Sequence, residues 1–108
     1  LIRAASDIED LERIRFTTSY PRDITKKMID AMRDVDKVCR HIHLPVQSGS
    51  NRVLALMKRT YTREWFSDTV KRLKDAVPDL AISTDIIVGY PGETDRDFED
   101  TMDLMREV

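Results

Sequence analysis

The sequence predicts an α/β fold on parallel strands, either part of a (β/α) barrel or an open doubly wound sheet, and three observations lead there. Runs with strand character at residues 13–18, 40–44 and 80–88 alternate with segments whose apolar residues recur at helical spacing. The order is helix, strand, helix, strand, two helices, strand, helix, and strands separated by helices imply crossovers and a parallel sheet. The last run, with Ala81, Ile82, Ile86, Ile87 and Val88, is nearly continuous in apolar residues, as in a strand covered on both faces.

Each element follows from local chemistry. A short helix is expected over residues 1–10. Ile14 and Phe16 alternate with polar neighbours in the first strand, which Ser19-Tyr20-Pro21 closes. Ile24, Met28, Ile29, Met32 and Val35 then form one apolar helix face, opposite Lys26, Lys27, Asp30 and Arg33, and this helix ends within 34–37. Pro45 stops the strand 40–44, and Ser50 is the expected N-cap of a helix that turns Val53, Leu54 and Met57 inward. Thr62 caps the next helix, whose Phe66, Val70, Leu73 and Val77 share a face until Pro78 ends it. After the strand 80–88, Gly89-Tyr90-Pro91-Gly92 turns into a last helix, for which Thr94 and Asp97 match the capping-box spacing. The methionines, Met28, Met32, Met57, Met102 and Met105, fall on apolar faces and are expected in the core.

A chain of 108 residues holds one domain or part of one. With 41% hydrophobic and 35% charged residues and little Gly or Pro, it is neither disordered nor fibrous. Eighteen basic against 20 acidic residues, net charge -2, exclude a general attraction for nucleic acid or an anionic membrane. Cys39 is the single cysteine and no apolar run is long enough for a bilayer or a signal peptide, so no membrane association and a reducing, cytoplasmic setting are expected. There is no initial Met, and apolar helical stripes run into both ends (Leu1, Ala4, Ala5, Ile8, Leu11; Phe98, Met102, Met105), as expected of a piece of a longer protein. An incomplete barrel would leave two unpaired strand edges and favour edge pairing between copies.

In either architecture ligands gather where strands end and helices begin. Three such junctions are visible, at 17–23, 45–50 and 89–94. At the third, two glycines permit positive φ or close backbone approach, and Asp85, flanked by Thr84 and Ile86 in an apolar strand, needs a partner that offsets its lost hydration: a hydroxyl-rich or cationic ligand, or an internal hydrogen bond. The second, Pro45-Val46-Gln47-Ser48-Gly49-Ser50, offers an amide and two hydroxyls suited to ribose or carboxylate, or simply a Ser-rich cap. The first, with Thr17, Thr18, Tyr20 and Arg22, suits a nucleoside or phosphate, or a capped turn. His41 and His43 point the same way on their strand but lack a third ligand at metal spacing, so hydrogen-bonded interior histidines are the better expectation. The run 58–63 reads as a solvated connector between helices.

Four blocks, Ile14 to Ser19, His41 to Ser50, Tyr61 to Glu64 and Ser83 to Thr94, resemble the middle of the radical S-adenosylmethionine (SAM) methylthiotransferases, and the resemblance covers essentially the whole chain. It is nearest the tRNA-modifying branch, which adds a methylthio group to C2 of isopentenyladenosine beside the anticodon. The resemblance implies a partial (β/α) barrel spanning 1–108, with the cysteines of its [4Fe–4S] clusters outside this sequence. It implies a 5′-deoxyadenosyl radical that abstracts the adenine C2 hydrogen, a second SAM as methyl donor, and tRNA as partner. It also implies that Gln47, with Ser48 beside it, and Arg59 and Asp85 surround the ribose and methionine part of SAM, and that Ile87 and Gly89 form the adenine-side strand edge, all as orienting groups and none catalytic. Tyr20 stands where the branch commonly has His, and Asp85 and Gly92 depart from the family's Gly-x-Ile-x-Gly-x-x-Glu pattern at its first and last positions. A sister enzyme acting on a ribosomal protein is the nearest alternative. A chain without cluster cysteines is expected to be an inactive scaffold when isolated.

Overall fold

The computed structural model describes residues 1–18 and 20–108; Ser19, in the first junction, lies outside the described residues. Two strands, β1 (His41–His43) and β2 (Ala81–Ser83), pair in parallel with Ile42 level with Ile82. Parallel neighbours cannot be joined by a tight turn. Their connection is a pair of helices, α3 (Asn51–Leu56) and α4 (Arg63–Ala76). Before β1 come α1 (Ile2–Ser6), a 3₁₀ turn Pro21–Asp23 and α2 (Lys26–Asp34), and after β2 comes α5 (Asp95–Glu107).

The helix starts behave as their caps dictate. Thr25, Ser50, Thr62 and Thr94 each accept the backbone N–H three residues on, and Thr94 with Asp97 completes a reciprocal capping box. α3 ends in a Schellman motif: Lys58 N–H bonds the Ala55 carbonyl at 3.0 Å and Arg59 N–H the Leu54 carbonyl at 2.8 Å. Lys58 takes the left-handed conformation this requires, φ 57°, without being glycine.

The buried faces meet on one side of the sheet. Ile42, Leu44 and Val46 join Phe66, Leu73 and Leu104 in a single core, each fully or almost fully removed from water. Each such side chain contributes about 1.5–3 kcal/mol relative to exposure. The radius of gyration, 15.7 Å, exceeds the roughly 13 Å of a compact domain of this length, and extents of 52 × 22 × 19 Å describe a long wedge.

Several expectations are corrected. The first helix closes at Ser6, because it has no side-chain cap at Leu1, has no fully buried residue, packing only Ile2 partly against the core, and is followed by Asp7, Glu9 and Asp10 at the end where the helix dipole disfavours acids. The strand at 13–18 reduces to one parallel bridge, Ile14 to Val38, and beyond it Thr18 reaches β1 through its hydroxyl, which donates to the His43 carbonyl. The run 80–88 forms a ladder only over β2 and a second bridge, Ile86 to Gln47. Between the two, the Val46 N–H, next in the ladder after that of Leu44, goes to Thr84 Oγ1 at 3.0 Å and not to a backbone carbonyl. Ile87 and Val88 are exposed, at 45% and 62%, so this strand end is not covered on both faces. Met102 and Met105 lie outside the core: α5 buries Asp97, Thr101 and Leu104 instead.

Candidate functional site

The site is built on the loop between β1 and α3. Gln47 N–H bonds the Asp85 carbonyl and the Gln47 carbonyl accepts the Ile87 N–H, both at 2.9 Å, so Gln47 sits between two residues that the resemblance groups with it. To make both bonds Gln47 adopts φ 72°; it and Lys58 are the two non-glycine residues with positive φ among the described residues. Such a backbone costs about 1–3 kcal/mol and persists only where surrounding contacts over-determine it.

Those contacts come from α5. Gly49 N–H donates to Thr101 Oγ1 at 2.8 Å, Ser48 Oγ lies 3.3 Å from the same hydroxyl, and Ser50 Oγ donates to Asp97 at 2.6 Å. Gly49 is glycine because a Cβ there would stand 2.5 Å from the Thr101 Cα and 2.6 Å from the Asp100 carbonyl oxygen. Ser48 is fully buried and its hydroxyl also accepts the Ser50 N–H, so its place is inside the loop and not on a ligand-facing surface. Asp97 anchors the arrangement, receiving hydrogen bonds from Arg52, from Ser50 and from the Thr94 hydroxyl and N–H. In that order of weight these hold its carboxyl far below the usual carboxylate range.

Asp85 is not a buried acid. Its side chain is 61% exposed, and Oδ2 accepts from His43 Nε2 at 3.0 Å. The internal hydrogen bond expected of it is therefore present, while its burial is not. Gly89 and Gly92 both take positive φ, 75° and 85°, and the Glu93 carboxylate closes the turn by accepting the Gly89 and Tyr90 N–H groups.

Arg59 stands apart from this group. Its guanidinium lies over the Tyr20 ring, 5.7 Å from the centroid, and among the described residues no hydrogen bond links it to Gln47 or Asp85. Tyr20 in turn shares a 2.8 Å hydrogen bond with the Thr60 hydroxyl and accepts the Thr60 N–H at 2.9 Å, while Arg22 donates to the Thr60 carbonyl at 3.1 Å. The two Thr60 bonds, helped by Arg59 and Arg22, lower the Tyr20 phenol below its ordinary value. The connector 58–63 thus joins the first junction to α3. Arg63 is not merely solvated either, donating to the Asp100 carbonyl at 3.1 Å and to Glu107 at 3.2 Å.

Sequence reasoning missed His43 and Ser83 as neighbours of Asp85. The signal was the shared parity of 41, 43 and of 83, 85 on two adjoining strands, legible only once their register is known.

Comparison with known proteins points to the same family as the four sequence blocks. The model of the radical SAM superfamily matches residues 1–105. The chain is 57% identical over its whole length to a tRNA-2-methylthio-N(6)-dimethylallyladenosine synthase of Caldicellulosiruptor saccharolyticus. It is 53% and 54% identical, again over its whole length, to proteins of the same name from Alkaliphilus oremlandii and Acetivibrio thermocellus. It spans 22–23% of the length of these relatives. A family match over nearly all residues, on parallel strands joined by helices, establishes that this chain belongs to the radical SAM superfamily.

Proposed function

We propose that the chain is the part of a radical SAM barrel that cradles SAM in an enzyme adding a methylthio group to C2 of isopentenyladenosine in tRNA, working in the cytoplasm. The observation that carries this reading is Gln47, held in a left-handed backbone between Asp85 and Ile87. Strain of this kind is kept where geometry matters to a ligand. The donor set suits SAM: among the described residues Asp85 has an oxygen free of protein partners to accept from a ribose hydroxyl or an ammonium, and half-exposed Ile87 offers apolar area to an adenine. Gly89 keeps open space beside it, since a methyl group placed on its Cα would meet no atom within 4 Å. Ser48 supports Gln47 from within the loop, and Arg59 supports the rim through Tyr20.

The residues do not suit an iron–sulfur cluster, which needs several thiolates where the sequence has only Cys39. No step is assigned to a cluster on this chain. SAM supplies the radical and methyl chemistry when bound, and these residues orient it.

The test uses the full-length protein, anaerobically reconstituted, with anticodon stem-loop RNA bearing or lacking the isopentenyl group. Methylthiolated product on the isopentenylated RNA alone is expected. SAM cleavage without RNA product would overturn the tRNA reading and turn attention to a ribosomal protein substrate. Asp85→Ala is expected to weaken SAM binding, and unchanged affinity would remove Asp85 from the site.

A further inference from the structure

The sheet face opposite the core carries a row of polar side chains linked end to end. Arg15 Nη2 lies 3.3 Å from His41 Nδ1, His41 Nε2 lies 3.1 Å from Ser83 Oγ, Ser83 Oγ lies 2.9 Å from His43 Nδ1, and His43 Nε2 lies 3.0 Å from Asp85 Oδ2. The row is a product of the fold. His41 and His43 share a face of β1, register sets Ser83 level with His43, and Arg15 follows the Ile14 bridge.

Donor arithmetic gives the row one direction. A guanidinium only donates, so His41 Nδ1 accepts and its proton sits on Nε2. That proton goes to Ser83, whose own proton then goes to His43 Nδ1, leaving His43 with its proton on Nε2, directed at Asp85. With both imidazoles neutral, each of the four contacts then has one donor and one acceptor, and reversal would set Arg15 against an N–H.

We propose that Arg15, His41, Ser83 and His43 form a one-way hydrogen-bond chain that positions the Asp85 carboxylate for SAM, with His43 as the positioning residue that touches it. The proposal rests on the reading of Asp85 given above. Holding Oδ2 fixes the carboxylate plane and leaves Oδ1 to the ligand. The otherwise exposed side chain thereby loses rotamer freedom before binding and not during it, which lowers the cost of association.

The experiment measures SAM affinity by equilibrium binding to the reconstituted full-length protein. His43→Leu removes the donor, and an affinity loss of about tenfold is expected, the worth of one hydrogen bond to a charged group. His43→Gln keeps an N–H near the Nε2 position and is expected to restore most of the loss. Equal losses for Leu and Gln would overturn the proposal, since both change packing but only one removes the donor. Full affinity in His43→Leu while Asp85→Ala binds weakly would overturn the chain but leave the SAM site standing. Full affinity in Asp85→Ala would overturn both. A second readout is independent of SAM: ¹⁵N spectra of the imidazoles, assigned by single substitution, are expected to show protons on Nε2 of both histidines. A proton on Nδ1 of His43 would refute the direction.

Discussion

Substituting Gly49 by alanine tests whether the site loop is truly clamped against α5. The new methyl carbon would sit 2.5 Å from the Thr101 Cα and 2.6 Å from the Asp100 carbonyl oxygen, where ordinary contact begins near 3.4 Å. Both neighbours are helix backbone and cannot swing aside, so loop and helix must part by about 1 Å, an overpacking cost of about 1–3 kcal/mol. Separation of that size also breaks the 2.8 Å bond from Gly49 N–H to Thr101 and the 3.3 Å Ser48–Thr101 contact. Each buried hydrogen bond adds about 1 kcal/mol. Together these terms predict a loss of about 3–5 kcal/mol, which at the usual slopes of about 1–3 kcal/mol per molar urea lowers the midpoint by at least about 1 M. The assay is urea unfolding followed by the fluorescence of Trp65, the one tryptophan. Gly89→Ala is the control: it meets nothing within 4 Å, and only its φ of 75° opposes the methyl. Its expected cost is about 1 kcal/mol. Equal midpoint losses for the two variants would refute the claim that close approach, and not backbone conformation, is what Gly49 supplies.

Two further outcomes follow from the same junctions. Asp97 has its carboxyl pKa lowered in the folded state, chiefly by Arg52 and then by Ser50 and Thr94, so its contribution is present above the unfolded carboxylate value of about 3.9 and is lost as pH falls below that toward the folded value. Asp97→Asn should therefore lower the urea midpoint at pH 7, keep most of that deficit near pH 3, and lose it only as pH falls further toward the folded value; a deficit that does not narrow at the lowest pH would show that charge is not what Asp97 contributes. Lys58, left-handed at φ 57° in the α3 C-cap, should be improved by glycine, with a gain of about 1 kcal/mol and a rise of a few degrees in Tm, whereas a lowered Tm would mean that its side chain matters more than its backbone.

The sequence is most legible where one residue decides a local structure. Ser50, Thr62 and Thr94 can be read as caps from the sequence alone, because a hydroxyl at the start of an apolar helical stripe satisfies an N–H that nothing else reaches. The apolar face of α4 is equally plain. Legibility fails where the outcome depends on a partner distant in sequence. Residues 13–18 have strand composition, yet a ladder needs a neighbour in register, and among the described residues one is offered only at Val38. α5 misleads for a related reason. Its methionines promise a core stripe, but the loop 45–50 presents hydroxyls and N–H groups to it, and the helix answers with Thr101 and Asp97 while Met102 and Met105 stay exposed. Within the candidate site, Gln47, Asp85 and Ile87 are grouped by resemblance, and the backbone pairing that joins them is visible only in three dimensions.

That same dependence on distant contacts explains why the loop can hold a strained residue. Gln47 makes backbone bonds to Asp85 and Ile87 on one side, and within three residues Ser48, Gly49 and Ser50 are fixed to α5 on the other. A loop gripped by two elements some 40 to 50 residues away in sequence cannot relax Gln47 to a negative φ without losing one grip, and each lost bond costs about as much as the strain relieved. The hydroxyls of Ser48 and Ser50, which by composition alone look like ligand contacts, are therefore better understood as the means by which the fold keeps Gln47 in place. Polar residues clustered before a helix need not face a ligand; here they face inward, and the residue left partly open to solvent is the one whose backbone they constrain.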